Sequence, residues 1–185
     1  MTRLFFYTIA TLVISSVLLM PAYAGWLPNK KDQPTSEQEV EETIAKFLQS
    51  DKGLQEFFDQ AYGYAVFPKI YKGAIGVGAA YGSGRVYKKG KYIGASKLYQ
   101  LTYGLQLGAQ AYSELIFFGD EDALNRFIQE KAEFSAQISA VAATAGASTD
   151  ADYSNGVAVF TVTVGGLMYE ASVGGQTFEF TPATE

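Results

Sequence analysis

The stretch Tyr99 to Phe118, YQLTYGLQLGAQAYSELIFF, constrains this chain more than any other part of it. Its odd positions from Tyr99 to Ala111 are all apolar or aromatic, whereas its even positions from Gln100 to Gln110 are Gln, Thr or Gly. Such unbroken alternation predicts a strand with one face on a core and one face elsewhere. At roughly 3.3 Å per residue it would extend on the order of 65 Å, several times an ordinary strand, so it has to bend. Gly104 and Gly108 are the positions where a strand can kink or another backbone can come close. From Leu115 to Phe118 the alternation gives way to a wholly apolar run, which predicts burial on both faces.

Composition narrows the chemistry. The 185 residues suffice for one domain with a real core, and there is neither Cys nor His among them. Disulfides, thiolate nucleophiles, the commonest zinc ligands and the usual general base near neutral pH are therefore missing. Carboxylates such as Glu114 and Glu170 remain as conceivable acid–base groups. Glu114 reads as a solvated strand residue, and the expectation is a non-enzyme with no catalytic residue, no metal and no cofactor.

Residues 1–24 have the pattern of a secretory signal: Arg3 as sole charge, an apolar run from Leu4 to Met20, then Pro21 and Ala22-Tyr23-Ala24. Cleavage is expected before Gly25, with residues 25–35 an extended arm and the mature protein periplasmic or secreted, peripheral to the membrane. Ser36 and Glu39 then form a capping box ahead of Val40, Ile44, Phe47 and Leu48 at helical spacing. A second short helix carries Leu54, Phe57, Phe58 and Ala61 on one face, and Gly63 is expected to close it. Asp120 caps a third, with Leu124, Phe127 and Ile128 facing inward.

From Tyr64 onward the chain reads as strands and turns. Ile75, Val77, Ala79 and Tyr81 line one strand face, and Ala74, Gly76, Gly78, Ala80 and Gly82 the other, which leaves room for close approach. Lys88-Lys89-Gly90-Lys91 is the tip of a hairpin. Phe134 to Ala143 alternates again, and Gly165-Gly166 and Gly174-Gly175 are hairpin signals in the tail. About ten short strands are expected. The fold class is α+β: one domain with a strongly curved antiparallel sheet or small barrel and about three amphipathic helices packed on it.

The motif Gly104-Leu105-Gln106-Leu107-Gly108-Ala109-Gln110 resembles the G-x-Q-x-G-A-[EQ] core of the SYLF domain family. Tyr62 to Pro68 resembles that family's opening strand, Gly73 to Gly78 its glycine strand, and Gly165 to Met168 its closing one. The resemblance covers residues 36–182 and implies a lipid-binding domain of the kind found in eukaryotic endocytic proteins and bacterial envelope proteins. It makes Gly104, Gln106, Gly108 and Gln110 the motif's structural residues. The turn Lys89-Gly90-Lys91-Tyr92 departs from the acidic or polar residue, Gly and Trp usual there.

The net charge is −5, yet no acidic residue occurs from Gln60 to Ser113. That interval holds Lys69, Lys72, Arg85, Lys88, Lys89, Lys91 and Lys97. Segregation of this kind produces a local positive field and suits anionic membrane phospholipids. These seven residues are the lipid-binding candidates, with the Arg85 to Lys97 hairpin foremost. Nucleic acid would use the same charges, but no recognised binding motif occurs and an exported protein rarely meets it. The actin link of some SYLF proteins is not expected to transfer either. The competing reading is a small outer-membrane β-barrel, favoured by the Tyr and Gly content and by a strand long enough to span.

Overall fold

Ser36 opens the first helix as the capping box predicts: its Oγ accepts from the Glu39 N–H at 3.2 Å, and the Glu39 carboxylate accepts from the Ser36 N–H at 2.9 Å. The computed structural model describes residues 35–129, 140–142, 148 and 151–184, and the signal-like segment 1–24 lies outside them, as does nearly all of the arm 25–35. Helix α1 (Glu37–Ser50) turns Val40, Thr43 and Phe47 inward. Helix α2 (Leu54–Gln60) follows, anchored by the buried Leu54. Gly63 is not its terminator: the helix ends at Gln60 with Ala61 already extended, and Gly63 begins the sheet. A Cβ at Gly63 would stand 2.6 Å from the Tyr87 carbonyl oxygen, so this glycine is there for a close crossing.

In place of the expected ten short strands, the described residues form three very long ones and a short one. These are β1 (Gly63–Lys88), β2 (Lys91–Phe118) and β4 (Val157–Pro182), with β3 (Ala140–Ala142) beside β4. Helix α3 (Glu121–Ile128) lies between β2 and β3, capped by Asp120, whose carboxylate accepts from the Ala123 N–H at 2.7 Å. The rest of the alternating stretch 134–143 lies outside the described residues. Strand order is β1-β2-β4-β3, antiparallel except for β3, which runs parallel to β4. The sheet is open and curved, not a closed barrel. The Gly-Gly pairs do not make hairpins. Both lie within the continuous β4, where Gly166 takes φ 94° beside a register shift opposite Ala111 and Tyr112.

The long strands fold over on themselves. Between the pairs Ile75–Leu107 and Val77–Tyr103, β1 has only Gly76, whereas β2 has Gly104, Leu105 and Gln106. Gly76, Gly104 and Gly108 take φ of 73°, 148° and 133°, a region closed to most side chains. Gly104 and Gly108 are thus bend points, as the sequence predicts. A Cβ on Gly78 would lie 3.0 Å from that of Ala74, although four residues of straight strand would separate them by about 13 Å. The bend brings the two arms of the sheet face to face.

Two cores form at the base of the arms. Between them lie Ala65, Phe67, Ile70, Val86, Leu98, Ile116 and Phe118, closed by Leu124 and Phe127 of α3. On the opposite face Val66, Leu115, Phe117 and Phe160 meet Val40 and Phe47 of α1 and Leu54 of α2. The run Leu115 to Phe118 is fully buried because successive side chains enter opposite cores. Close packing of the arms depends on glycine. A Cβ on Gly84 would stand 2.5 Å from the Val66 carbonyl oxygen and 2.6 Å from the Phe67 ring. Gly84→Ala is expected to cost about 1–3 kcal/mol by overpacking, read as a lower denaturation midpoint in urea. An unchanged midpoint would mean the arms separate more easily than this crossing implies.

Candidate functional site

Beyond the helices, the sheet carries its polarity inverted. The interior side near the bend holds Lys72, Gln100, Thr102, Gln106, Gln110 and Glu114, all buried or half-buried. The outer side presents Ile75 (83 % exposed), Tyr103 (73 %), Leu101 (70 %), Leu105 (68 %), Leu107 (64 %) and Val77 (59 %). Register joins them across strands, Ile75 to Leu107 and Val77 to Tyr103. This band continues the face that α1 and α2 cover at Leu115 and Phe117. The helices end, and among the described residues nothing covers the apolar face beyond them. Contiguous exposed apolar surface of this kind marks an interaction site.

Hydrogen bonds explain how a polar interior holds the bend. The Gln106 side-chain amide donates to the Gly76 carbonyl at 3.0 Å and to the Thr102 carbonyl at 3.1 Å, and the Thr102 hydroxyl donates to Gln106 Oε1 at 2.8 Å. Both bend segments are therefore tied by one side chain. Farther along the arms, the Tyr112 hydroxyl donates to Gln100 Oε1 at 3.2 Å, and Ser113 donates to the Pro68 carbonyl at 2.7 Å. Gln106 and Gly104 of the motif thus shape the bend. Gly108 stands opposite Ala74, and Gln110 opposite Lys72.

Glu114 is not solvated. It is fully buried, with Oε2 accepting from the Gln176 amide at 2.9 Å and Oε1 unpartnered among the described residues. Burial raises its pKa to about 7, partly opposed by the Gln176 hydrogen bond. The side chain of Glu170 lies outside the described residues; its backbone pairs with Gln106.

The seven basic candidates do not form one cluster. Lys88, Lys89 and Lys91 stand at the hairpin tip, which the Lys89 N–H ties to the Tyr62 carbonyl at 3.0 Å. Lys88 also pairs with Glu121 at 3.1 Å, and hydrogen bonds to Tyr62 and Glu121 raise its pKa. Arg85 stacks over Tyr92, 4.0 Å from the ring centroid. Lys72 is buried within the fold. Lys69 and Lys97 flank the apolar band, Lys69 lying 5.6 Å from the Tyr71 ring and Lys97 opposite Glu179 and next but one to Tyr99. The tip and the bend are at opposite ends of the folded sheet, about 40 Å apart along β1. A sequence reading lists the outward residues as strand residues but has no means to say that they are uncovered.

A bent, open sheet with an apolar convex face and a glycine–glutamine bend defines the class. Residues 99–183, which hold the SYLF-like motif, match the family described as Las17-binding protein actin regulator (Ysc84). Among curated proteins it is similar to Beta cell expansion factor A of Aeromonas veronii, 28 % identical over 137 residues. That alignment takes in 73 % of this chain and 52 % of the relative, so the chain spans about half the relative's length.

Proposed function

We propose that this protein is a non-catalytic, exported lipid-binding module that attaches to membranes carrying anionic phospholipids. The observation that carries the reading is the inversion of polarity at the bend: a hydrogen-bonded polar interior beneath an apolar outer face. Water is a poor neighbour for that face. Fully burying an aliphatic or aromatic side chain contributes about 1.5–3 kcal/mol, so the six outward residues, scaled by their exposure, together could supply on the order of 6–12 kcal/mol in a membrane. Lys69 and Lys97 are the candidates placed to meet acidic headgroups, each contributing roughly 1 kcal/mol near such a surface. With the bend pointing into the membrane, the hairpin tip stands about 40 Å back along β1 and does not reach the surface. The SYLF resemblance supports lipid as the ligand, and the signal-like residues 1–24 support a periplasmic or secreted location. No partner in actin or nucleic acid is proposed, and Glu114 is given no catalytic role.

Vesicle flotation tests the reading. The full chain is expected to float with phosphatidylglycerol vesicles and, less strongly, with phosphatidylcholine ones. Raising salt from 0.1 M to 1 M shortens the Debye length from about 10 Å to about 3 Å, which should erase the lipid preference and leave the apolar component. Lys88→Glu/Lys89→Glu/Lys91→Glu should bind nearly as the parent does. No flotation with either lipid would refute the function; loss in the folded triple variant alone would move the contact to the hairpin.

A further inference from the structure

The bend gives the membrane contact a definite depth. Because the arms face one another, residues equidistant from Gly76 stand at one height: a Cβ on Gly82 would be 2.6 Å from the Ile70 side chain. Tyr71 on the first arm and Tyr81 on the second therefore share a level, and Tyr81 lies against Tyr99, ring centroids 5.4 Å apart. Just behind them come the polar groups, Lys69 beside Tyr71 on one arm and Lys97 and Glu179 beside Tyr99 on the other. Ahead of them, outward positions up to the bend are apolar on both β1 and β2. An apolar cap rimmed by tyrosine and then by charge, at matching height on two arms, is how side chains arrange themselves across a headgroup boundary.

The distance from that rim to the apex decides between spanning and shallow insertion. From Tyr99 to Gly104 the strand rises roughly 16 Å at most, about half of a ~30 Å hydrocarbon core. The open sheet argues the same way. Deep immersion would strand the backbone N–H and C=O groups of the β1 edge in hydrocarbon, where each unpaired group is costly.

We infer that the bend enters a single leaflet, with Leu105 and Val77 deepest and Tyr71 and Tyr99 together at the interface. This rests on the lipid-binding reading and adds its geometry. The partner is one phospholipid monolayer, engaged by the apolar cap through acyl chains and by the rim through headgroups.

Depth-dependent quenching tests it in the full chain. Trp26, the only tryptophan, is replaced by Phe, and Trp is placed singly at Leu105, Tyr71 and Tyr99, all exposed positions. Thermal melts establish that each variant folds. Vesicles of phosphatidylglycerol and phosphatidylcholine carry a spin label at the headgroup or mid-chain. The mid-chain label should quench Trp at 105 more strongly than the headgroup label does. The order should reverse at 71 and 99, and to the same extent at both. Unequal depths at 71 and 99, or quenching at 105 no deeper than at the rim, overturns single-leaflet insertion. Edge-paired assemblies that span would show as leakage of trapped dye and as high-order oligomers on vesicles, and would also overturn it. A second copy covering the face would appear as a lipid-independent dimer with Trp at 105 already shielded. Absence of any vesicle binding would overturn the lipid-binding reading itself.

Discussion

Leu101→Asp/Leu105→Asp is expected to fold as the parent does and to lose vesicle binding altogether. Leu101 and Leu105 are 70 % and 68 % exposed on the convex face, so neither change opens a cavity. Surface substitutions of this kind typically shift stability by about 0.5 kcal/mol or less. In a membrane the balance is different. Each aspartate placed in the apolar layer costs on the order of 2.5–3.5 kcal/mol, and the favourable burial of two leucines is lost as well. Even about 5 kcal/mol corresponds to more than a thousandfold in binding. The measurement pairs a thermal melt with flotation on phosphatidylglycerol vesicles. A folded double variant that floats within a few-fold of the parent would show that the apolar band is not the contact.

The second large effect is on stability and concerns Glu114. An ordinary glutamate ionises near 4.5, whereas in the folded chain burial raises the pKa to about 7. Between these values the folded state holds a proton that the unfolded state has released. The folded state is thus favoured most below about pH 4.5, and this contribution is lost as pH rises through about 7. At 1.36 kcal/mol per unit, the difference amounts to about 3 kcal/mol. Glu114→Gln keeps the shape and leaves the Gln176 amide an oxygen to donate to. It is expected to flatten the decline of stability between pH 5 and pH 8 and to raise the melting temperature at pH 8. Comparison with the parent across that range isolates Glu114 from other carboxylates. Parallel curves for the two proteins would mean that the carboxylate finds a compensating partner and is ionised in the fold.

The sequence by itself determined the helices α1, α2 and α3, the N-caps at Ser36 and Asp120, the turn that joins β1 to β2 and the need for the long strand to bend. Ser36 with Glu39, Asp120, the Lys89-Gly90 tip and the glycines at 104 and 108 are local signals. Each acts on backbone within a few residues, so each is legible without the fold. The SYLF motif was legible for the same reason, being contiguous. Which side of the alternation would face the interior was not. Period-two spacing defines two faces, and only the tertiary structure decides what covers each. At the bend the arms approach so closely that Gly and Ala line much of β1's inner side, with Gln106 bridging the gap, and Leu and Tyr are left outside. At the base the same outer face is covered by α1 and α2, so Leu115 and Phe117 are core while Leu101 and Leu105 are surface. The Gly-Gly pairs read as turns for a related reason: glycine permits a hairpin, a bulge or plain strand, and the pairing of β4 with β2 from Gly94 to Phe118 made Gly165-Gly166 part of an irregularity and left Gly174-Gly175 in regular register. Lys72 and Glu114 looked like solvent-facing strand charges because burial depends on the opposite arm, which no local pattern reveals. The seven basic residues read as one field because they are near in sequence, and the fold-over separated them, since residues on a bent strand are neighbours by height along the arms and not by number.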